Sequence, residues 1–255
     1  MGIEAADSAP VVSVVMPAYN SNSTVEAAIR SVQLQTYGRW ELIIVDDHST
    51  DGTWLSLQNF SAMDPRIKIH RHARNHGVAA ARNTAVSSCR ARYIAFLDSD
   101  DCWLPDKLEM QLEVMVRGSL AVSYTQFRTF RVSPDAPGPL IRPPASLTYE
   151  RLLRNTCMAC STVMIDTLKV GLPHFPSVRH EDFACWLSLL KRGASAGIVP
   201  RDLMRYRRST SSVSGNKLRS ALWVWRIYRD VENIWLPKSI WVFLCYATRG
   251  IRKYW

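Results

Sequence analysis

The stretch Tyr93–Leu108 (YIAFLDSDDCWLPDKL) decides the fold. Its first five residues are a continuous apolar run, which is typical of a strand that is buried on both faces. The run ends in the acidic cluster Asp98-Ser99-Asp100-Asp101, and Pro105 then begins a helix, because proline suits the first helical turn. A buried strand, a polar loop and a helix in this order indicate an α/β protein.

The same alternation recurs on both sides of this stretch, and it predicts a mostly parallel central sheet flanked by helices. The predicted strands are 11–16, 41–45, 66–70, 93–97, 120–124 and 161–165. The predicted helices run from Ser23 or Thr24 to Gln35, from the Ser49–Gly52 turn to Phe60, from Gly77 to Ser88, from Pro105, over 148–154, after Glu181-Asp182, and over 217–234 and 238–252. The proline-rich segment 133–147 predicts an irregular loop.

Polar clusters follow three of the predicted strands, at Pro17–Asn20, Asp46-Asp47 and Asp98–Asp101. In open α/β sheets the ligand binds beyond the carboxyl ends of the strands. The clusters therefore predict the binding site at that edge of the sheet.

The composition is that of a globular protein, but the charge is uneven. The chain has 255 residues and is 47% hydrophobic, and this hydrophobic fraction excludes a mainly disordered chain. The formal net charge is +10. Residues 201–255 hold 12 Lys/Arg against 3 Asp/Glu, and they include five of the nine tryptophans. A basic, Trp-rich tail fits an anionic membrane surface, with nucleic acid as the rival partner. Its apolar stretch 239–247 is too short to span a bilayer, so an interfacial helix and a helix packed on the core both stay open.

Several function classes lack their motifs. The sequence has no Gly-x-Gly-x-x-Gly after the first strand, no P-loop and no Gly-x-Ser-x-Gly elbow. Cys157 and Cys160 form the one Cys-x-x-Cys pair among six cysteines, which is too little for a typical zinc site. The first ten residues do not read as a secretory signal, so reduced thiols in a cytoplasmic protein are expected.

Two acidic motifs suggest ligand chemistry. Asp98 and Asp100 stand at i and i+2 of an extended segment, so their carboxylates point the same way and could hold a hard divalent cation. A solvated acidic loop is the alternative. One carboxylate of Asp46-Asp47 could accept hydrogen bonds from a base or a ribose, and an Asx turn is the alternative there.

Two further segments flank these motifs. Gly77 begins a helix of small residues from which Arg82 could reach the carboxylates or a phosphate. His180-Glu181-Asp182 precedes an apolar helix that carries Trp186. The functional interpretation is a general base beside an acceptor sugar, with Glu181 near the acceptor and an apolar face offered by Trp186. The alternative is a carboxylate that caps the helix start.

Five segments in this order resemble family 2 glycosyltransferases of the GT-A fold, especially the non-processive bacterial enzymes of polysaccharide and lipopolysaccharide assembly. They are VSVVMPAYN (12–20), SVQLQTYGRWELIIVDDHSTDGT (31–53), NHGVAAARN (75–83), YIAFLDSDDCWLPDKL (93–108) and HEDFACW (180–186). The resemblance is dense over 11–117 and looser to about 217. The Q-x-x-R-W element of processive polymerases is missing, which favours transfer of a single sugar.

The resemblance implies roles for individual residues. Asp47 corresponds to the uracil-contacting aspartate, Asp98 lies toward the ribose, Asp100 binds the metal, Mn²⁺ or Mg²⁺, and Asp182 is the catalytic base. The full nucleotide-binding set is Pro17, Ala18, Tyr19, Asp46, Asp47, Arg82 and Asp98. The acceptor-binding residues are Glu181 and Trp186.

The resemblance also implies the domain organisation. We expect an extension at 1–10, a GT-A domain over 11–217 with a nucleotide-sugar half at 11–125 and an acceptor half at 126–217, and a helical tail at 218–255.

The function implied is an inverting, metal-dependent hexosyl- or N-acetylhexosaminyltransferase that uses a UDP-sugar and a saccharide or lipid-linked acceptor. It would act in the cytoplasm or at the inner face of the plasma membrane, without nucleic acid. A sugar nucleotidyltransferase is one alternative, although PAYNSNST (17–24) stands where its glycine-rich segment would lie. A non-enzymatic module that binds anionic surfaces through the tail is the other.

Overall fold

The structure, a computed structural model, describes residues 9–208 and 217–252. Most of the expected extension 1–10 therefore lies outside the described residues. The same holds for 209–216 within the expected GT-A domain and for 253–255 at the end of the expected tail.

The strands of the described residues form one sheet. They are β1 Val12–Ala18, β2 Trp40–Asp46, β3 Ile67–Arg71, β4 Tyr93–Phe96, β5 Cys102–Trp103, β6 Val122–Phe130, β7 Leu140–Ile141, β8 Ser146–Leu147, β9 Met164–Asp166 and β10 Ala196–Arg207. Their spatial order is β3-β2-β1-β4-β9-β6-β10-β5, with β7 beside β6 and β8 beside β10.

Most of this sheet is parallel, as predicted. Strands β3, β2, β1 and β4 pair in parallel register, and so do β6 and β10. The short strand β9 runs antiparallel between β4 and β6 and joins the two parallel groups. The expected nucleotide-sugar and acceptor halves therefore share one continuous sheet.

Helices cover both faces of the sheet. They are α1 Val25–Gln33, α2 Thr53–Met63, α3 Val78–Ser87, α4 Lys107–Arg117, α5 Tyr149–Leu153, α6 Thr167–Val170, α7 Glu181–Lys191, α8 Lys217–Arg226 and α9 Leu236–Arg252, with a 3₁₀ turn at Cys160–Thr162 and a π-helical turn at Ile227–Val231.

The continuous apolar strands follow from this cover. Successive strand side chains point to opposite faces of the sheet. In β1, Val14 packs in the core formed with α1 and α4, whereas its neighbour Val15 packs in the core formed with α3 and α7. Each face therefore requires apolar residues, and no polar alternation appears in the sequence.

The main difference from the predicted elements is β10, a strand that the sequence pattern did not indicate. Pro200 and the charged Arg201 and Asp202 interrupt its apolar pattern, and its register against β6 shifts after Val199. The predicted loop 133–147 also contains the two short strands β7 and β8.

The tail packs on the body of the protein. Val224, Ile227 and Tyr228 are fully buried, and the Tyr228 hydroxyl donates a hydrogen bond to the carbonyl oxygen of Leu153. In the part of the chain that the structure describes, no helix combines the length and apolar character that a membrane span requires.

Candidate functional site

The predicted nucleotide site lies where the parallel strands β1, β2 and β4 end. Ala18, the last residue of β1, is in register with Asp46, the last residue of β2, and Asp98 follows β4 on the other side of β1. Pro17 and Ala18 are buried within the sheet, whereas Tyr19 is 50% exposed. Of these three residues, Tyr19 therefore offers the open side chain at this edge.

Asp46 is fully buried and already paired. Its carboxylate lies 3.0 Å from Nε of Arg71 and accepts hydrogen bonds from the amide of Ser49. These contacts hold the turn after β2, so the structure gives Asp46 a scaffolding position beneath the site.

Asp47 anchors the loop that leads into α3. Its carboxylate accepts hydrogen bonds from the amides of His76 and Gly77, at 2.9 and 2.7 Å, and lies 2.7 Å from Nδ1 of His72. Gly77 has a φ of 87°, which glycine adopts without strain, and this conformation orients its amide toward Asp47. The carboxylate assigned to uracil is thus also the anchor of this loop.

Arg82 joins the two acidic parts of the site. One guanidinium nitrogen lies 2.5 Å from the carboxylate of Asp98, and another pairs with the carboxylate of Glu181 at the start of α7. The guanidinium is buried and lies above the ring of Phe175. Burial disfavours its charge, but the surrounding acidic groups, Asp98 foremost, raise the pKa of Arg82. Arg82 therefore stays charged and holds these acidic segments together.

Glu181 and Asp182 begin α7 in a largely dry environment. Burial raises the pKa of both carboxyl groups, and the nearby guanidinium of Arg82 opposes the shift. A carboxylate with a raised pKa is a stronger base than an exposed aspartate, which suits it to accept a proton from a hydroxyl group. Asp182 retains partial exposure, whereas Glu181 is buried against Arg82.

Asp100 provides a carboxylate that suits a divalent cation. Burial and then the charge of Asp98 raise the pKa of Asp100 to about 6, so its negative charge is poorly compensated. The ion pairs among residues 9–208 and 217–252 do not include Asp100. The described residues also contain no cluster of three or more potential ligand side chains. The carboxylates of Asp98 and Asp100 would therefore supply only part of a coordination shell, which fits a hard cation that also binds phosphate oxygens and water.

Ser161 and Asp101 support the acidic loop, a role that the sequence analysis assigned to neither residue. The Ser161 hydroxyl accepts a hydrogen bond from the amide of Asp98 at 3.0 Å and donates to the carboxylate of Asp101 at 2.6 Å. Asp101 also accepts a hydrogen bond from the amide of Arg207 in β10. The signal available in the sequence was the third aspartate after β4, but its partners come from distant segments.

Trp186, the expected acceptor-binding residue, is not at the surface, so the structure gives an acceptor no access to its side chain. Its side chain is buried and packs edge-on against the rings of Phe96 and Phe175, at centroid distances of 5.2 and 5.7 Å. Trp186 therefore belongs to the core beneath α7.

His180 links the start of α7 to the tail. It precedes α7 in the left-handed backbone region, with φ of 57°. Its Nε2 lies 2.8 Å from the hydroxyl of Ser220, and its ring contacts Trp223, both on α8. Helix α8 of the tail therefore packs against the residue that precedes α7.

Sequence comparisons identify relatives of this chain. The profile of glycosyl transferase family 2 matches residues 13–168. TuaG of Bacillus subtilis, a glycosyltransferase whose name links it to teichuronic acid biosynthesis, is 42% identical over 96% of this chain and 97% of its own length. WfgD of Escherichia coli, a UDP-Glc:alpha-D-GlcNAc-diphosphoundecaprenol beta-1,3-glucosyltransferase, is 38% identical over 96% of this chain and 95% of its own length.

Solved structures share the fold. Residues 1–349 of TarS from S. aureus, in complex with UDP-GlcNAc, align with a TM-score of 0.70 and 19% identity, covering 94% of this chain and 72% of that chain. A mannosyltransferase from Pyrobaculum calidifontis, in complex with GDP-Man and Mn²⁺, aligns with a TM-score of 0.66 and 16% identity, covering 94% and 74%. These likenesses confirm the predicted GT-A architecture.

Proposed function

Because this chain belongs to glycosyl transferase family 2 and is a glycosyltransferase, we propose that it moves one sugar, with inversion, from a UDP-sugar to a hydroxyl group of a lipid-linked saccharide. The observation that carries this proposal is the arrangement of Asp98, Arg82 and Glu181–Asp182. A single guanidinium ties the acidic loop after β4 to the acidic start of α7. Donor-binding and acceptor-activating groups therefore face one site.

A divalent metal, Mn²⁺ or Mg²⁺, would be held at Asp100, with Asp98 beside it. When bound, such a cation offsets the negative charge that builds on the diphosphate leaving group. Tyr19 and Asp98 would line the sheet edge where the nucleoside lies, and the buried Asp47 would hold the loop beside it. Two guanidinium nitrogens of Arg82 are hydrogen-bonded to carboxylates, so we assign Arg82 to positioning Asp98 and Glu181 beside the diphosphate.

Asp182 is the proposed general base. Its pKa is raised by burial, and it is the partly exposed carboxyl group at the start of α7. It would take the proton from the acceptor hydroxyl as that oxygen attacks the anomeric carbon. One base with in-line displacement inverts the configuration at that carbon.

The acceptor and pathway are proposed from the relatives. WfgD is named for transfer of glucose to a lipid-linked GlcNAc, and TuaG for teichuronic acid biosynthesis. Because this chain matches nearly the whole of each, we propose a saccharide on a lipid diphosphate as its acceptor, in assembly of a bacterial polysaccharide at the cytoplasmic face. The enzyme assignment leaves no role for the non-enzymatic alternative.

The first test is UDP release from a panel of UDP-sugars, with and without Mn²⁺. We expect release from one donor, dependent on the metal and lost in Asp100→Ala. The matched control is Asp106→Ala, because Asp106 is an exposed carboxylate six positions away that caps α4 without a side-chain hydrogen bond.

Transfer to a synthetic lipid-diphosphate saccharide then tests stereochemistry. Nuclear magnetic resonance of the product should show the anomeric configuration opposite to that of the donor. A retained configuration would refute the single-base mechanism. UDP release that is indifferent to both Mn²⁺ and Asp100→Ala would refute the metal role. If UDP with Mn²⁺ fails to raise the melting temperature, the UDP-sugar assignment is wrong.

A further inference from the structure

Helix α9 of the tail has an inner face that packs on the protein and an outer face that is exposed. On the inner face of α9, Val242 and Ser239 are fully buried, and Phe243 contacts Trp225 of α8 at a centroid distance of 5.4 Å. Glu232, between the two tail helices, accepts hydrogen bonds from the hydroxyl of Tyr149 and from Nζ of Lys191. These contacts fix the orientation of α9 on the body of the protein.

The outer face of α9 is apolar and uncovered. Leu236, Ile240 and Leu244 recur every four residues and are 47%, 47% and 58% exposed. Residues at this spacing lie on one side of a helix. Trp235 and Trp241 are exposed beside them. We call these five residues the α9 face.

Basic side chains border the α9 face. The guanidinium of Arg154 lies 4.2 Å from the ring centre of Trp241, and Nζ of Lys238 pairs with Glu150 at 2.6 Å. The exposed Arg151 lies on the same short helix, α5, as Glu150.

An apolar face with a basic border favours an anionic bilayer as its binding partner. Exposed tryptophan and leucine beside lysine and arginine are the side chains that bind at the interface of an anionic bilayer. The apolar residues alone would suit a protein partner as well as a bilayer. The basic border favours the bilayer, because it adds attraction to the phosphates of anionic lipids. Helix α9 is also joined to the acidic site through α8, because Phe243 of α9 contacts Trp225 of α8 and α8 contacts His180, two residues before Asp182.

We propose that the α9 face docks on an anionic lipid bilayer and sets the orientation of the acidic site relative to the membrane. The docking itself stands on the geometry of the tail. Its use in presenting a lipid-linked acceptor rests on the function proposed above. The two expectations for the tail, packing on the core and lying at an interface, then describe opposite faces of one helix.

The test is cosedimentation of the full chain with vesicles, in the absence of donor and acceptor. We expect binding to vesicles of phosphatidylcholine with phosphatidylglycerol and little binding to phosphatidylcholine alone. Binding to the anionic vesicles should weaken as salt is raised, since the basic residues contribute through screened charge.

The key variant replaces Leu236, Ile240 and Leu244 with glutamine. The partition constant for anionic vesicles should fall by about tenfold or more, because each side chain contributes apolar area to the interface. A matched control replaces Leu34, Leu55 and Val116 with glutamine. These are three exposed apolar residues on the body, and the control should bind like the unmodified chain. Circular dichroism of both triple variants verifies that they fold.

Two results would overturn the proposal. One is vesicle binding that is equal in the unmodified chain and the tail variant. The other is light scattering that shows a dimer which the tail variant converts to a monomer, without vesicle binding by either, since the α9 face would then cover a second copy. Asp182→Asn should bind vesicles normally, so a failure of docking is distinguishable from a failure of the proposed catalysis.

Discussion

The carboxylates at the end of β2 and those that follow β4 lie at the same edge of the sheet, but they differ in how far the protein compensates their charge. Asp46 and Asp47 are buried, and their oxygens meet Arg71, His72 and the backbone amides of the next loop. Asp100, after β4, has a raised pKa because burial and its neighbour Asp98 both disfavour its charge. The first pair is satisfied by the protein itself, whereas the second loop carries negative charge in excess.

This difference separates scaffold from reactive groups. A satisfied buried carboxylate stabilises the fold, because its hydrogen bonds compensate the loss of water. A poorly compensated one costs stability and is retained where a ligand supplies the missing partner. Asp182 belongs with Asp100, since burial raises its pKa as well. Substitutions should therefore affect stability in the first group and activity in the second.

The largest effect is expected from Asp182→Asn. This change removes the base while keeping the side-chain volume, and we expect kcat to fall by about 10³-fold. UDP affinity, measured by titration calorimetry, should be unchanged. The melting temperature at neutral pH should not fall, because the raised pKa shows that the charged form is disfavoured in the folded state.

The pH profile of the unmodified enzyme examines the same carboxyl group. A raised pKa means that Asp182 gains its proton at a higher pH than a free aspartic acid, for which the value is about 3.9. Activity should therefore decline toward acid at a pH above that value. A kcat for Asp182→Asn within about tenfold of the parent would place the base elsewhere.

Arg82→Leu should produce the largest loss of stability. It would leave the buried carboxylate of Glu181 and the partly exposed carboxylate of Asp98 without their cation, at a cost of about 3 kcal/mol in the free energy of unfolding. Urea denaturation measures this change, and Arg82→Lys should restore part of it. Arg30→Leu is the control, since the Arg30–Glu26 pair is exposed and should contribute little. Equal effects of the two leucine substitutions would contradict the bridging role.

Asp47→Ala should give an intermediate effect. The amides of His76 and Gly77 would lose their charged acceptor, which costs about 2 kcal/mol because hydrogen bonds to a carboxylate are stronger than neutral ones. Hydrogen exchange should show faster exchange at these two amides, with little change in β6. If the exchange of both amides stays slow, the loop has another anchor.

The smallest effect is expected from Asp64→Asn, a satisfied carboxylate outside the site. A hydrogen bond from the guanidinium of Arg66 lowers the pKa of Asp64 to about 2. A lowered pKa stabilises the fold above the unfolded value near pH 4, and the contribution disappears as pH falls toward 2. Because Arg66 is partly exposed, we expect the substitution to cost about 1 kcal/mol at pH 7. A cost independent of pH would exclude the ion pair as its source.

The location of these carboxylates could be predicted from the sequence. Apolar runs that end in aspartates place Asp46, Asp47, Asp98 and Asp100 at one edge of a parallel sheet. Which of them are satisfied could not be predicted, because the partners Arg71, His72 and Ser161 come from other segments. Hydrogen-bond partners depend on tertiary contacts that no local pattern encodes.

The structure differs clearly from the sequence-based expectations at Trp186 and at β10, and the two differences have related causes. Helix α7 is buried on nearly all sides, so Trp186 stands in an apolar run that shows no exposed face. Strand β10 contains Pro200 and charged residues because its register against β6 is interrupted after Val199. In both cases the tertiary environment departs from the regular pattern on which sequence prediction depends.

The antiparallel strand β9 has a consequence for synthesis on the ribosome. Strands β4 and β6 lie on either side of β9, and β6 further pairs with β10. The sheet edge that carries Asp98 and Asp100 is therefore incomplete until residues 164–166 and 196–207 have left the exit tunnel. Although residues 11–125 contain most of the nucleotide-site carboxylates, a nascent chain of that length exposes the unpaired side of β4, where chaperone binding and aggregation compete.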